Sequence, residues 1–130
     1  MFGYAGRILR VDLTTGRSRT EPLDPEEALR TLGGRAMNST RLYKELPAGI
    51  DPLSPDNILI LGVGPLTGTP FVASSRLTIT AKSPLTGILG DSNAGGHLAP
   101  EIKHAGYDQI VITGARDRWC YLLIQDADVR

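Results

Sequence analysis

Apolar and polar positions alternate with period 2 at the start of the chain, take helical spacing through its second quarter, and alternate again afterwards. Leu9, Val11 and Leu13 alternate with Arg10 and Asp12, the pattern of a half-buried strand, and Thr14-Thr15-Gly16 turns it into a hairpin with residues 17–21. Asp24-Pro25-Glu26-Glu27 supplies an N-cap, a proline at the first helical position and a carboxylate at the third, and Gly33-Gly34 closes that helix after Leu32. A second helix is predicted over 35–46, with Met37, Leu42 and Leu46 as apolar positions and Pro47 as its stop. Residues 51–56, with Pro52 and Pro55, are a loop. The apolar run 58–61 reads as a buried strand, and Leu77, Ile79 and Ala81 alternate with Thr78 and Thr80 in another. A short helix over 98–105 ends at Gly106, followed by strands at 109–113 and 119–124 joined by the charged turn Arg116-Asp117-Arg118. Residues 126–130 show neither cap nor turn and read as cut rather than finished. Without a regular βαβ alternation, the expected fold is α+β, β-rich, with antiparallel or mixed sheets and short helices.

Composition narrows this picture. In 130 residues the 41% of apolar side chains suffice for one core, so a single domain over 1–130 is expected. Fourteen Lys+Arg balance fourteen Asp+Glu, which argues against a nucleic-acid footprint or a polybasic membrane tether. Neither a signal peptide nor a membrane span is legible, so the cytoplasm is the expected location. The single cysteine, Cys120, excludes an internal disulfide framework and an iron–sulfur cluster held wholly by this chain; between Trp119 and Tyr121 it reads as a packed thiol in a strand.

Charge is unevenly placed. Residues 57–90 contain no acid and only two cations, Arg76 and Lys82, while seven of the fifteen glycines fall between Gly62 and Gly96. Such a stretch is either a buried sheet core or a surface where backbone closely approaches an anionic ligand. It also holds an echo, Pro65-Leu66-Thr67-Gly68 recurring as Pro84-Leu85-Thr86-Gly87, which suggests a duplicated strand–turn unit. The glycines at 62–68 fail as a dinucleotide fingerprint, because Pro65, Gly68 and Pro70 forbid the helix that must hold the pyrophosphate. Asn93-Ala94-Gly95-Gly96 fits better: consecutive glycines before a helix let backbone N–H groups converge on an anion. A plain turn competes with that reading, and Arg76 in the acid-free stretch tips it toward an anion site. His97, Glu101 and His104 share one face of a short helix, most simply a solvated one. No nucleophilic triad or paired carboxylates are evident, so no catalytic residue is assigned.

Eight blocks in order carry a resemblance over nearly the whole chain. They are Tyr4-Ala5-Gly6-Arg7 with Val11-Asp12-Leu13-Thr14-Thr15-Gly16, Leu32-Gly33-Gly34-Arg35, Asp51-Pro52-Leu53-Ser54-Pro55, Gly64-Pro65-Leu66-Thr67-Gly68-Thr69, Lys82-Ser83-Pro84-Leu85-Thr86-Gly87, Asn93-Ala94-Gly95-Gly96 and Ala105-Gly106-Tyr107-Asp108. Together they resemble the N-terminal domain of the tungsten-containing aldehyde ferredoxin oxidoreductases. The resemblance implies a saddle-like, internally duplicated base for two pyranopterins that hold one tungsten, or molybdenum in its place, with their phosphates bridged by Mg2+. It implies that Arg76 contacts the pterin cofactor, that Asn93 ligates magnesium through its main-chain oxygen, and that the backbone of Gly95, within the run Asn93, Ala94, Gly95 and Gly96, meets a pterin. The implied activity is oxidation of aldehydes to carboxylic acids with ferredoxin as acceptor, through a [4Fe-4S] cluster that this chain does not ligate. A chain of this length is then a partial N-terminal domain, inactive alone, whose partners are the remaining domains of the same enzyme and whose open strand edges favour self-association. Two alternatives stand beside it: a non-catalytic pterin- or anion-binding assembly module, and a related tungsten enzyme acting on another substrate such as an aromatic thioester.

Overall fold

The alternation at Leu9, Val11 and Leu13 becomes β1 (Arg7–Asp12), which pairs antiparallel with β2 (Arg17–Pro22). Asp12 makes the turn, accepting from the Thr14 N–H (2.9 Å) and the Thr15 hydroxyl (2.8 Å); that hydroxyl, first among its partners, holds the Asp12 carboxyl below its ordinary range. In this computed structural model, which describes residues 2–130, α1 (Pro25–Thr31) starts where the capping signal places it, Asp24 accepting from the Glu26 N–H at 2.9 Å. Leu32 caps α1 with φ 62°, and α2 (Gly34–Glu45) follows almost at once. Glycine is required at 33 because φ is +132° and a Cβ would stand 2.7 Å from the Val63 carbonyl.

The remaining elements are β3 (Leu59–Val63), β4 (Arg76–Lys82), β5 (Leu89–Gly95), α3 (Leu98–His104), β6 (Gln109–Thr113), β7 (Ile124–Gln125) and β8 (Asp128–Val129). Six strands form one sheet in the order β2-β1-β6-β3-β4-β5, with β1 and β6 parallel and the other neighbours antiparallel. The architecture is α+β with a mixed sheet, as the element pattern implies. The two Pro-Leu-Thr-Gly turns follow β3 and β4, each with its glycine at positive φ, +77° at Gly68 and +71° at Gly87.

Two expectations fail at the end of the chain. Residues 119–123 are not a strand, and of the expected span only Ile124 enters one, as the first residue of β7; Trp119, Cys120 and Tyr121 are exposed, so Cys120 is not a packed thiol. Leu122 and Ile124 alone among these turn inward onto the second apolar cluster, too few contacts to bury a six-residue strand. Residues 126–130, which read as lacking a turn, close the β7–β8 hairpin around Asp126 at φ 54°.

Each face of the sheet has its own core. On one face α1 and α2 cover Ile8, Ile60 and Val111 with Leu23, Ala28, Met37 and Leu42; on the other, α3 and the C-terminal hairpin lie over Leu9, Val11, Val63, Leu77 and Ile110. The helical face also carries a buried polar network. Asn38, fully buried, donates from Nδ2 to the Thr78 carbonyl (3.1 Å) and Thr80 Oγ1 (3.2 Å) and accepts at Oδ1 from Gln109 Nε2 (2.8 Å). Gly62 makes room for it, since a Cβ there would lie 2.2 Å from Asn38 Oδ1. The network thereby fixes α2 against β3, β4 and β6 at once.

Farther along α2, Glu45 joins Arg10 (Nη1 to Oε2, 2.8 Å) and Arg41 (Nη1 to Oε1, 2.8 Å). Burial works to raise its carboxyl, but the hydrogen bond and charge of Arg10 and those of Arg41 outweigh it and hold the group below its ordinary 4.5. A depressed folded pKa stabilises above the unfolded value and is lost as pH falls through the folded one. Resistance to urea should therefore decline from about pH 4.5 downward, and Glu45→Gln should cost about 1–2 kcal/mol at pH 7 and flatten that decline. An unchanged acid limb in the variant would refute this role.

Candidate cofactor-binding edge

The antiparallel register of β4 and β5 sets Arg76 opposite Gly95, Thr78 opposite Asn93 and Thr80 opposite Asp91. Arg76 and the 93–96 run, separate in the sequence, are thus cross-strand neighbours at the sheet's outer edge. All five of Arg76, Asn93, Ala94, Gly95 and Gly96 are exposed, and the Gly96 carbonyl accepts from Ser75 Oγ at 3.2 Å. Strand alternation puts Arg76, Thr78 and Thr80, with Gly95, Asn93 and Asp91 opposite them, on the α2 side of the sheet.

The form of this site differs from the expected one. Residues 93–95 are not a glycine loop gathering N–H groups at a helix N-terminus; they end strand β5, and α3 starts later, at Leu98, with seven residues and no side-chain cap. The polar main-chain groups on offer belong to an unpaired sheet edge, where half of a strand's N–H and C=O groups have no neighbour. β5 escaped the hydrophobic pattern because its sequence, LGDSNAG, faces solvent along most of its length. The turn at 83–87 was the available signal, since Ser83 donates to the Ile88 carbonyl at 2.8 Å and returns the chain alongside β4.

Gly95 is distinctive among the fifteen glycines. Its φ lies outside the left-handed region and nothing stands within 4 Å of a Cβ built on it, a combination no other glycine shows among the described residues. Neither backbone conformation nor packing among the described residues calls for glycine there, and the space beside the strand is open to a close approach from outside. Asn93 is similarly poised: its side-chain Oδ1 already accepts from Thr78 Oγ1 (3.1 Å), which leaves the main-chain oxygen as its outward acceptor. Among the described residues Arg76 is in no ion pair. Lys82, the other cation of the acid-free stretch, is turned away and donates to the Ile50 carbonyl at 2.6 Å.

Two charged residues that the sequence did not single out complete this face. Asp91 stands opposite Thr80, and Arg35, from the first turn of α2, reaches it with Nη2 2.6 Å from Oδ2. The signal for Asp91 was its place two residues before Asn93, meaningful only once β5 is known to be a strand. The other candidates stand apart: His104 Nδ1 is 3.8 Å from Glu101 on an exposed helix face, and a 440 Å³ hollow lined by Arg10, Arg17 and Thr113 lies toward the opposite sheet edge. Among the described residues no helix is long and apolar enough to cross a membrane.

The fold is thus a mixed six-stranded sheet whose outer edge carries an open glycine beside an arginine that is in no ion pair among the described residues. Residues 8–130 match the family model described as aldehyde ferredoxin oxidoreductase, N-terminal domain, and the chain belongs to that family. It is 45% identical over 129 residues to the tungsten-containing aldehyde ferredoxin oxidoreductase of Pyrococcus abyssi, covering 99% of this chain and 21% of that protein. It is 34% identical over 132 residues to the aliphatic sulfonate oxidoreductase, WOR-like subunit, of Pyrococcus furiosus, again covering 99% of this chain and 21% of the relative. Among solved structures, the active site complex BamBC of benzoyl coenzyme A reductase with 1,5 dienoyl-CoA superposes with a TM-score of 0.95 at 37% identity, over 98% of this chain and 20% of that one. The chain spans about a fifth of the length of these relatives.

Proposed function

We propose that this chain is the N-terminal cofactor-supporting domain of a tungsten pterin oxidoreductase that oxidises aldehydes to carboxylic acids and passes the electrons to ferredoxin. The observation that carries this reading is the open, conformationally unneeded glycine at 95 beside Arg76 on an exposed edge. A second consideration comes from the relatives, which are named for different substrates, an aldehyde, an aliphatic sulfonate and benzoyl coenzyme A, while all match this domain. A part common to enzymes named for different substrates serves something other than substrate choice, and we assign it to the tungsten cofactor that the aldehyde ferredoxin oxidoreductase is named for.

Arg76 offers a planar fork of N–H donors to a phosphate or pterin edge. Gly95 lets a flat ring lie close to the strand, and Ala94 and Gly96 keep the neighbouring rim low. The main-chain oxygen of Asn93, a hard donor, suits Mg2+. When bound, a bis-pyranopterin centre of tungsten, or molybdenum in its place, supplies the two-electron chemistry. The residues of this chain bind and orient it, while the [4Fe-4S] cluster and the substrate pocket belong to the remaining domains of the same enzyme, with which residues 1–130 act as one unit. In the full-length enzyme Arg76→Ala should lower bound tungsten and pterin severalfold with little change in thermal midpoint. Metal and pterin contents equal to the parent's would overturn the assignment.

A further inference from the structure

The ion pair of Arg35 and Asp91 is unbalanced. The arginine side chain is 68% exposed, whereas the carboxylate it meets is only 11% exposed. Asp91 Oδ1 receives a long contact from Thr80 Oγ1 (3.4 Å), and Oδ2, without a well-aligned hydrogen bond among the described residues, has the nearby Arg35 charge as its compensation. Pairs with so exposed a partner are worth little to stability, while drawing a carboxylate out of water is costly. Stability alone therefore explains the pair poorly.

Its position suggests another use. Asp91, Asn93 and Gly95 alternate on one side of β5, so Arg35, held at Asp91, and Arg76, held opposite Gly95, stand at the two ends of a line with Asn93 at its middle. Four strand residues span about 13 Å. A guanidinium carries five N–H donors in a fixed fork, and a single carboxylate contact leaves most of them for another acceptor.

We propose that Arg35, anchored by Asp91, is a second anion-binding residue of this edge and engages an oxyanion on the side of Asn93 away from Arg76. The inference rests on the β4–β5 edge being the cofactor site. Its ligand class is an extended organic phosphate with acceptors far enough apart to reach both arginines; a free inorganic phosphate is too small to span them. Asp91 is a positioning residue, acting through Arg35.

The test uses the full-length enzyme isolated from cells supplied with tungstate, with tungsten and phosphorus per chain measured after dialysis and the thermal midpoint measured alongside. Arg35→Ala should retain about tenfold less of both elements, the loss of a charge-assisted contact, with little change in midpoint. Asp91→Asn breaks the same pair but keeps the guanidinium, and should retain more than Arg35→Ala. Arg35→Lys keeps a charge without the fork and should fall below the parent. Equal loss in Arg35→Ala and Asp91→Asn would mean a merely structural pair and overturn the proposal, as would parental content in Arg35→Ala. If Arg76→Ala loses cofactor while Arg35→Ala does not, this inference alone falls; if neither loses it, the site reading falls too.

Discussion

Replacing Asp108 by alanine is expected to destabilise the 130-residue chain by about 3–5 kcal/mol in urea unfolding, the range for removing one partner of a buried charge pair. Asp108 is 1% exposed, and its carboxylate accepts from the N–H groups of Ala5 (3.1 Å) and Gly6 (2.7 Å) and from Lys103 Nζ. Its own N–H donates to the Arg7 carbonyl at 2.9 Å. One side chain thus joins the start of the chain to the end of α3. Alanine strands two backbone donors and a largely buried ammonium, whose other acceptor is the Gly3 carbonyl at 3.1 Å. The segment it releases carries Tyr4, whose hydroxyl donates to the Leu32 carbonyl at 2.9 Å and so ties α1 to the rest. Asp108→Asn keeps the shape without the charge and should fall between parent and alanine. A loss below about 1 kcal/mol for alanine would contradict the pairing described here.

Elements that bury an apolar stripe, or carry a strong cap, were legible in the chain itself. The β1–β2 hairpin, α1 with its Asp24 cap, α2, β3, β4, α3 and β6 lie where periodicity and punctuation put them, within a residue or two. What escaped has a common cause. β5 is an edge strand with most of its residues exposed, and the β7–β8 hairpin buries only a few side chains, so tertiary pairing rather than pattern makes them strands. The same cause altered the candidate site. Arg76 and Asn93 to Gly96 were named from the chain and the family resemblance, but their meeting depends on the register that sets Arg76 against Gly95. Arg35 and Asp91 were invisible because their partnership crosses from α2 to β5. Asn38, in letters a glycosylation sequon with Ser39 and Thr40, is a fully buried core amide, a role that only the close approach of Gly62 makes possible.

Gly95→Val in the full-length enzyme sets the central claim against a direct alternative. Valine is favoured in strands, the backbone at 95 needs no left-handed conformation, and a Cβ there meets nothing within 4 Å, so the domain itself should fold with the parent's stability to within about 1 kcal/mol. The added branches instead occupy the space beside Arg76 through which a cofactor would approach the strand. Tungsten and pterin per chain, quantified together with the unfolding midpoint, make the decisive measurement. The predicted result is a loss of bound tungsten and pterin of about tenfold or more at an unchanged midpoint, as expected when bulk fills a site built for close approach. A valine variant that carries the parent's full content of both would show that no cofactor lies against this edge.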